Sequence, residues 1–189
     1  MQPLPNISPQ SGSLLISEPF LQDENFVRSV VLLCENNELG SFGLVLNKLS
    51  IFKLDELLDG CELQDKEVYV GGPVEQNTLH FIYQGEQLLA DSIAVGDNLW
   101  WGGDFSELME KHRLGMVNTA DFRFFIGYSG WESGQLKEEL TENTWIVCDN
   151  AYARNIFLAE PDDLWRMILK NMGGDFQVLA NYPIDPRLN

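Results

Sequence analysis

Short apolar runs separated by polar, glycine- or proline-bearing segments set the pattern of this chain. Leu14-Leu15-Ile16, Ser29 to Cys34, Phe42 to Leu46, Val68 to Val70, Phe122 to Ile126 and Trp145 to Cys148 are rich in β-branched and aromatic residues. Runs that short and that continuously apolar suit strands covered on both faces. Thr78 to Tyr83 alternates instead. Leu79, Phe81 and Tyr83 take one side and His80 and Ile82 the other, as expected of a strand between unlike surroundings. Ser92 to Val95 reads as a further short strand. Ser29–Cys34 and Phe42–Leu46, joined by the polar segment Glu35 to Gly40, read as a hairpin.

Helical signals fall between these runs. Leu54 to Leu58 is a short helix stopped by Gly60. Asp104 with Glu107 three residues on resembles a capping box, opening a helix that ends near Arg113 and Gly115. Gln135 to Leu140 places Leu136 and Leu140 on one face. Ala151 to Leu158 precedes the clearest helix, Pro161 to Met172. There Pro161 suits the first position, Asp162 and Asp163 favour the amino end, Lys170 favours the carboxyl end, and Gly173 follows. The pattern predicts about eight strands and five helices: an α+β protein with a mixed sheet and helices on its faces. One domain spans residues 1–189, with a loose arm over 1–11 and an extended tail over 181–189.

Asp121 to Asp149 is the most distinctive stretch. It reads as a strand, a turn Gly127-Tyr128-Ser129-Gly130-Trp131, a helix and a second strand. That order favours a right-handed crossover with the two strands paired in parallel. The turn would then sit at the carboxyl end of a strand, a favoured ligand position in α/β layers. Trp100-Trp101-Gly102-Gly103 reads as a loop from which one indole lines a pocket or partner surface.

Charge and candidate chemistry narrow the function. With 29 acidic and 12 basic residues the net charge is −17. Phosphate backbones are bound through clustered Lys and Arg, so direct nucleic-acid binding is disfavoured. No apolar run approaches the ~18 residues of a membrane span. The polar first thirteen residues lack the pattern of a secretory signal, which points to the cytoplasm. Cys34, Cys61 and Cys148 form no framework spacing, and two of them sit in apolar strands as small hydrophobes. Ser129 lies between strand and helix, but the nucleophile elbow G-x-S-x-G needs Gly where Trp131 stands. Both histidines, His80 and His112, precede it. Ser129 with Glu132, or Ser133 as a rival, reads instead as a helix cap. The histidines share no metal-ligand spacing. Gly71-Gly72-Pro73 and Gly102-Gly103 lack the phosphate-binding endings of nucleotide loops. These readings give no catalytic residue, no metal site and no cofactor.

Several strings together resemble one family. Phe26-x-Arg28-Ser29-Val30 through Glu35, Gly43 to Asn47, Val68 to Val74, Leu79-His80, Gly127 to Trp131, Gly134-Gln135-Leu136 with Glu139, Trp145 and Leu164-Trp165 match, in order, the YqgE/AlgH family. The resemblance implies an α+β fold with a bifurcated sheet and a small closed barrel surrounded by helices. It implies little about activity. Some members carry a transcriptional-regulator label, and the founding name refers to control of alginate production. Relatives often have Ala at Ser129, which further weakens a nucleophilic role there, and usually Asn-Arg-Pro at Asn47-Lys48-Leu49, a departure that argues against carrying over a function of that turn's shape. The expectation is a non-catalytic binding or regulatory module for a small molecule or protein partner. Its surface would be built from Asn47, Gly71, Gly72, Pro73, Tyr128, Trp131 and Gln135, with Trp101. The alternatives are a hydrolase acting through carboxylate or amide groups, and a DNA-binding regulator.

Overall fold

The computed structural model describes residues 8–149 and 156–183. Most of the expected arm, the first part of the 151–158 segment and the end of the expected tail lie outside the described residues. Ten strands and five α-helices follow in the order β1 (Leu14–Ser17), β2 (Val30–Asn37), β3 (Gly40–Val45), β4 (Leu49–Lys53), α1 (Leu54–Leu57), β5 (Glu67–Val70), β6 (Val74–Gln84), β7 (Ile93–Gly96), β8 (Leu99–Trp101), α2 (Phe105–Arg113), β9 (Phe122–Glu132), α3 (Gln135–Thr141), β10 (Trp145–Cys148), α4 (Pro161–Met172) and α5 (Gly174–Leu179).

The strands form one sheet that branches along β9. The upper branch is ordered β10-β1-β2-β3-β9, and the lower branch is β7-β8-β6-β9-β5-β4. All pairs are antiparallel except β5 with β9. The first half of β9 lies between β5 and β6, with Phe124 opposite Val68 and Phe81. Beyond Gly127 the partner on one side becomes β3, with Ser129 opposite Gly43 and Trp131 opposite Ser41.

Alternation sorts the side chains into three cores. In the upper branch Leu14, Ile16, Val30, Leu32, Leu44 and Ile146 face a main core closed by Leu164, Trp165, Ile168 and Leu169 of α4. The alternate residues Leu15, Val31, Leu33, Val45 and Val147 face the opposite side, where Leu136 of α3 covers them. Burial on both faces is why these strands read as unbroken apolar runs. The lower branch sends Tyr69, Ile82 and Phe125 into the main core. It sends Val68, Phe81, Tyr83, Phe122 and Phe124 into a second core under α1 and α2. The α4 boundaries match the sequence signals, with Pro161 in the first turn and Gly173 at φ +74° ending the helix. Trp165 also donates its indole N–H to the Ser17 carbonyl at 2.9 Å.

Several expectations need correction. The Gly127–Trp131 string is not a turn but the continuation of β9. Gly127, at φ +64°, bends the strand without reversing it. Phe122, Phe124 and Ile126 face the second core, yet Tyr128 packs on the main-core side. A left-handed glycine shifts the alternation in just this way. Phe122–Ile126 and Trp145–Cys148 do not pair. Three strands separate them, although four antiparallel steps leave them pointing the same way. Trp100 and Trp101 lie in a strand, not a loop, and their rings pack against different cores. β4 has no counterpart in the expected pattern, nor has α5.

The small closed barrel is not formed among the described residues. Its margins, β4 and β7, do not pair, and Leu54, Leu108 and Met109 of the adjoining helices fill the space beneath. Neither Ser129 nor Ser133 caps α3. Its cap position is Gly134, and the side chain of Gln135 accepts from the Glu132 amide at 3.0 Å. Asp104 does cap α2, accepting from Ser106 and Glu107 amides. Glu107, however, accepts from the Ala90 amide at 2.8 Å rather than completing the box.

Candidate functional site: an aromatic ledge at the branch point

The glycines of the branch point are explained by backbone contact. A Cβ on Gly71 would lie 2.4 Å from the Gly127 carbonyl oxygen, and one on Gly72 would lie 2.2 Å from that of Tyr128. The Gly71 amide donates to Ile126 at 2.9 Å, and its carbonyl accepts from Val45 at 2.8 Å. That carbonyl also accepts from Ser129 Oγ at 3.0 Å. Ser129 is fully buried, so its hydroxyl fastens the crossing and has no access to a substrate.

Asn47 is likewise engaged. Its Nδ2 donates to the Arg28 carbonyl and its Oδ1 accepts from the Val30 amide, both at 2.9 Å. This holds the turn in which Arg28 adopts φ +49°. The neighbouring Lys48 carbonyl accepts from Val70 at 2.7 Å. The Asn47 turn, Gly71-Gly72 and Gly127-Tyr128 therefore converge, but through buried backbone. Of that group only Pro73 is exposed.

Trp131 and Gln135 lie on the other face. Trp131 is 6% exposed and packs in the core beneath α3. One carboxylate organises that corner. Glu139 Oε2 accepts the indole N–H groups of Trp131 at 2.9 Å and Trp145 at 2.7 Å, and Oε1 accepts from Gln135 Nε2 at 2.9 Å. A carboxylate with both oxygens so occupied is a structural clamp.

Tyr128 and Trp101 do meet at one surface, in company the sequence reading did not select. Phe42 of β3 lies between them, with ring centroids 4.7 Å from each and interplanar angles of 29° and 31°. His80 of β6 stands edge-on to Phe42 at 5.2 Å and to Tyr128 at 5.9 Å. All four rings are half-buried. Phe42 sits opposite Gly130 in the ladder, and the Tyr128 ring lies close over Gly130, where a Cβ would come within 3.2 Å of it. Aromatic rings commonly cover a glycine in a neighbouring strand. The signal was present in the Gly130 spacing, but using it required knowing the β3–β9 register.

The ledge opens onto a groove of about 620 Å³ lined by Phe42, Tyr128, Val74 and Gly130, with Glu35 and Glu132 among its walls. His80 Nε2 lies 3.1 Å from Thr78 Oγ1, whose hydroxyl donates to the Glu75 carbonyl at 2.8 Å. That leaves Nε2–H as donor in the pair. Burial lowers the imidazole pKa from its ordinary 6.5, partly opposed by Glu75, so the ring is neutral near pH 7.

Elsewhere, a cleft of about 450 Å³ borders Arg123, which is 8% exposed. Its guanidinium lies 4.8 Å over Tyr69 and donates to the carbonyls of Leu46 and Ala159. The thiols of Cys34 and Cys148 are buried, and desolvation raises both, Cys148 to about 12. Among the described residues no helix is long and apolar enough to cross a membrane.

The profile of the AlgH-like family matches residues 14–177. The chain belongs to the AlgH-like family. A UPF0301 protein of Cytophaga hutchinsonii is 44% identical over 179 residues, covering 94% of this chain and 98% of that protein. One from Parabacteroides distasonis is 39% identical over 186 residues, covering 97% and 93%. The solution structure of AlgH from Pseudomonas aeruginosa superposes with a TM-score of 0.72 at 26% identity, over 95% of this chain and 98% of that one. The crystal structure of DIP2367 from Corynebacterium diphtheriae gives 0.78 at 21% identity over 95% of each chain, a likeness of fold. No specific activity is attached to the family.

Proposed function

We propose that this protein is a non-catalytic binding module whose ligand or protein partner seats on the Phe42–His80–Trp101–Tyr128 ledge. One observation carries the reading. The other conspicuous motifs are consumed internally: Gly71-Gly72 by the crossing, Asn47 by its turn, Trp131 and Gln135 by Glu139. The ledge gathers four half-buried rings from four strands, two of which, Phe42 and Tyr128, line a groove. Clustered aromatic rings near a groove are common anchors at binding surfaces.

The hydrolase alternative has less support. Ser129 is sealed in the crossing, and Glu107 is held below the usual carboxylate range by the Ala90 amide and Lys111, opposite to what a general acid needs. Direct DNA contact is also disfavoured. Lys53, Lys111 and Arg113 pair with Glu67, Glu107 and Glu62, Lys66 donates to the Thr119 carbonyl, and Arg123 is buried, so these cations form no stripe.

The test is affinity capture from cell extract using wild-type, Tyr128→Leu and Trp101→Leu protein, with a surface change on α3 as control. Wild type and control should retain a component that both ledge variants lose. Identical retention by all four would end the reading.

A further inference from the structure

Resting on the ledge as the binding site, we infer that its occupant is a cationic side chain, arginine above all, presented by an extended segment of a protein partner. The geometry of the rings and the charge of their surroundings lead to this independently.

The Phe42 ring centroid lies 4.7 Å from those of both Tyr128 and Trp101, and both of those rings are only partly buried. Aromatic faces carry negative electrostatic potential and attract guanidinium and ammonium groups, with tryptophan and tyrosine the strongest partners. The planar guanidinium also stacks on such faces, which the compact ammonium of lysine cannot do. The protein already uses this contact internally, at Arg28 over Trp165 and Arg123 over Tyr69, each with its guanidinium carbon 4.8 Å from the ring centroid.

Charge acts in the same sense. Glu35 and Glu132 stand in the groove wall, and its described lining includes no lysine, arginine or histidine. His80, bordering the rings, holds no proton charge to oppose a cation near neutral pH. The field of a chain at −17 adds the same sign at longer range. An anionic occupant would be repelled, and a neutral apolar one would gain nothing from the two exposed carboxylates.

Groove shape points to a segment of polypeptide rather than a small free cation. Small-molecule sites bury most of the ligand in a concavity. This groove is shallow and open, running over Gly40, Ser41 and Gly130, where small side chains let an extended chain approach the sheet.

The experiment uses the full chain at about 0.15 M salt, where the general field is screened beyond roughly 8 Å. Acetyl-(Gly-Arg)4-amide, acetyl-(Ser-Leu)4-amide and acetyl-(Gly-Glu)4-amide are titrated while the Trp101 indole and Tyr128 ring resonances are followed by NMR. The arginine peptide should shift both saturably. Its affinity should fall about tenfold in Tyr128→Leu and in the double variant Glu35→Gln/Glu132→Gln, and stay unchanged in Glu138→Gln/Glu142→Gln on the opposite face. Equal affinity for the two double variants would show a response to overall charge and overturn the inference. If the serine-leucine peptide shifts the ledge as strongly as the arginine peptide, the ledge stands as a site and the cation does not. If no peptide moves either resonance, both readings fall.

Discussion

Two aromatic clusters hang from the same strand, three residues apart, and have opposite fates. Trp145 packs edge-to-face on Phe26 at 5.5 Å and on Trp131 at 6.0 Å, α3 lies over them, and Glu139 accepts both indole N–H groups. Around Tyr128 the rings are packed as closely, yet they stay half-buried and a groove runs alongside Phe42 and Tyr128. Composition and spacing do not separate the two. A lid and an internal partner for the polar ring atoms do. A tryptophan-rich motif is therefore evidence of a site only when its heteroatoms and outer faces remain unspent.

The most damaging change to this contrast is one that removes the strand carrying both clusters. Gly72→Ala drives a methyl group into the Tyr128 carbonyl, and the neighbour is backbone, which cannot swing aside. A loss above about 4 kcal/mol, or no folded protein at all, is expected in urea denaturation. Next comes the clamp. Glu139→Ala orphans two indole donors and should cost about 2–5 kcal/mol, with m unchanged and binding at the ledge retained. Tyr128→Leu and Trp101→Leu should invert that result, with stability within about 1.5 kcal/mol of wild type and capture lost. If Glu139→Ala abolished capture while leaving stability intact, the assignment of the two clusters would be reversed.

The smallest effects are protonic. His80 has a folded pKa below 6.5, so its contribution is complete above that value and declines as pH falls through the folded pKa. Melting curves of His80→Gln should lack that acid-side decline. Cys148 has the opposite sense. Its thiol is raised from 9.0 to about 12, so its contribution is complete below pH 9 and is lost as pH rises toward 12. Iodoacetamide at pH 8 should label it only at the rate of unfolding, and labelling at the rate of a free thiol would contradict its burial.

Much of the scaffold was legible because burial on both faces writes itself as unbroken apolar runs, as in Leu14–Ile16 and Trp145–Cys148. Helix α4 was legible because Pro161, Asp162, Lys170 and Gly173 each mark a boundary locally. Strand β4 was not. Ser50–Phe52 arch away from β5 and Ile51 is 91% exposed, so its apolar residues mark no buried face. The Gly127–Trp131 string was misread because glycine signals reversal in sequence but can equally bend a strand at one residue. Of the candidate surface, Tyr128 and Trp101 belong to the ledge. Phe42 and His80 were missed because their role depends on which strands lie side by side. Trp131 and Gln135 were included because nothing local reveals that Trp131 is buried or that Glu139 takes up the polar groups of both.

A single stretch of backbone, Phe122–Glu132, is stitched into both branches. This has a practical corollary for dissecting the molecule. A chain opened at the exposed Gly85-Glu86-Gln87 turn keeps that stretch whole in one fragment, and the two pieces retain complementary edges on which to reassociate. A chain opened at Gly127 divides the stretch itself: Phe122–Ile126 stays in one piece with its partners β5 and β6, while Ser129–Glu132 is parted from β3.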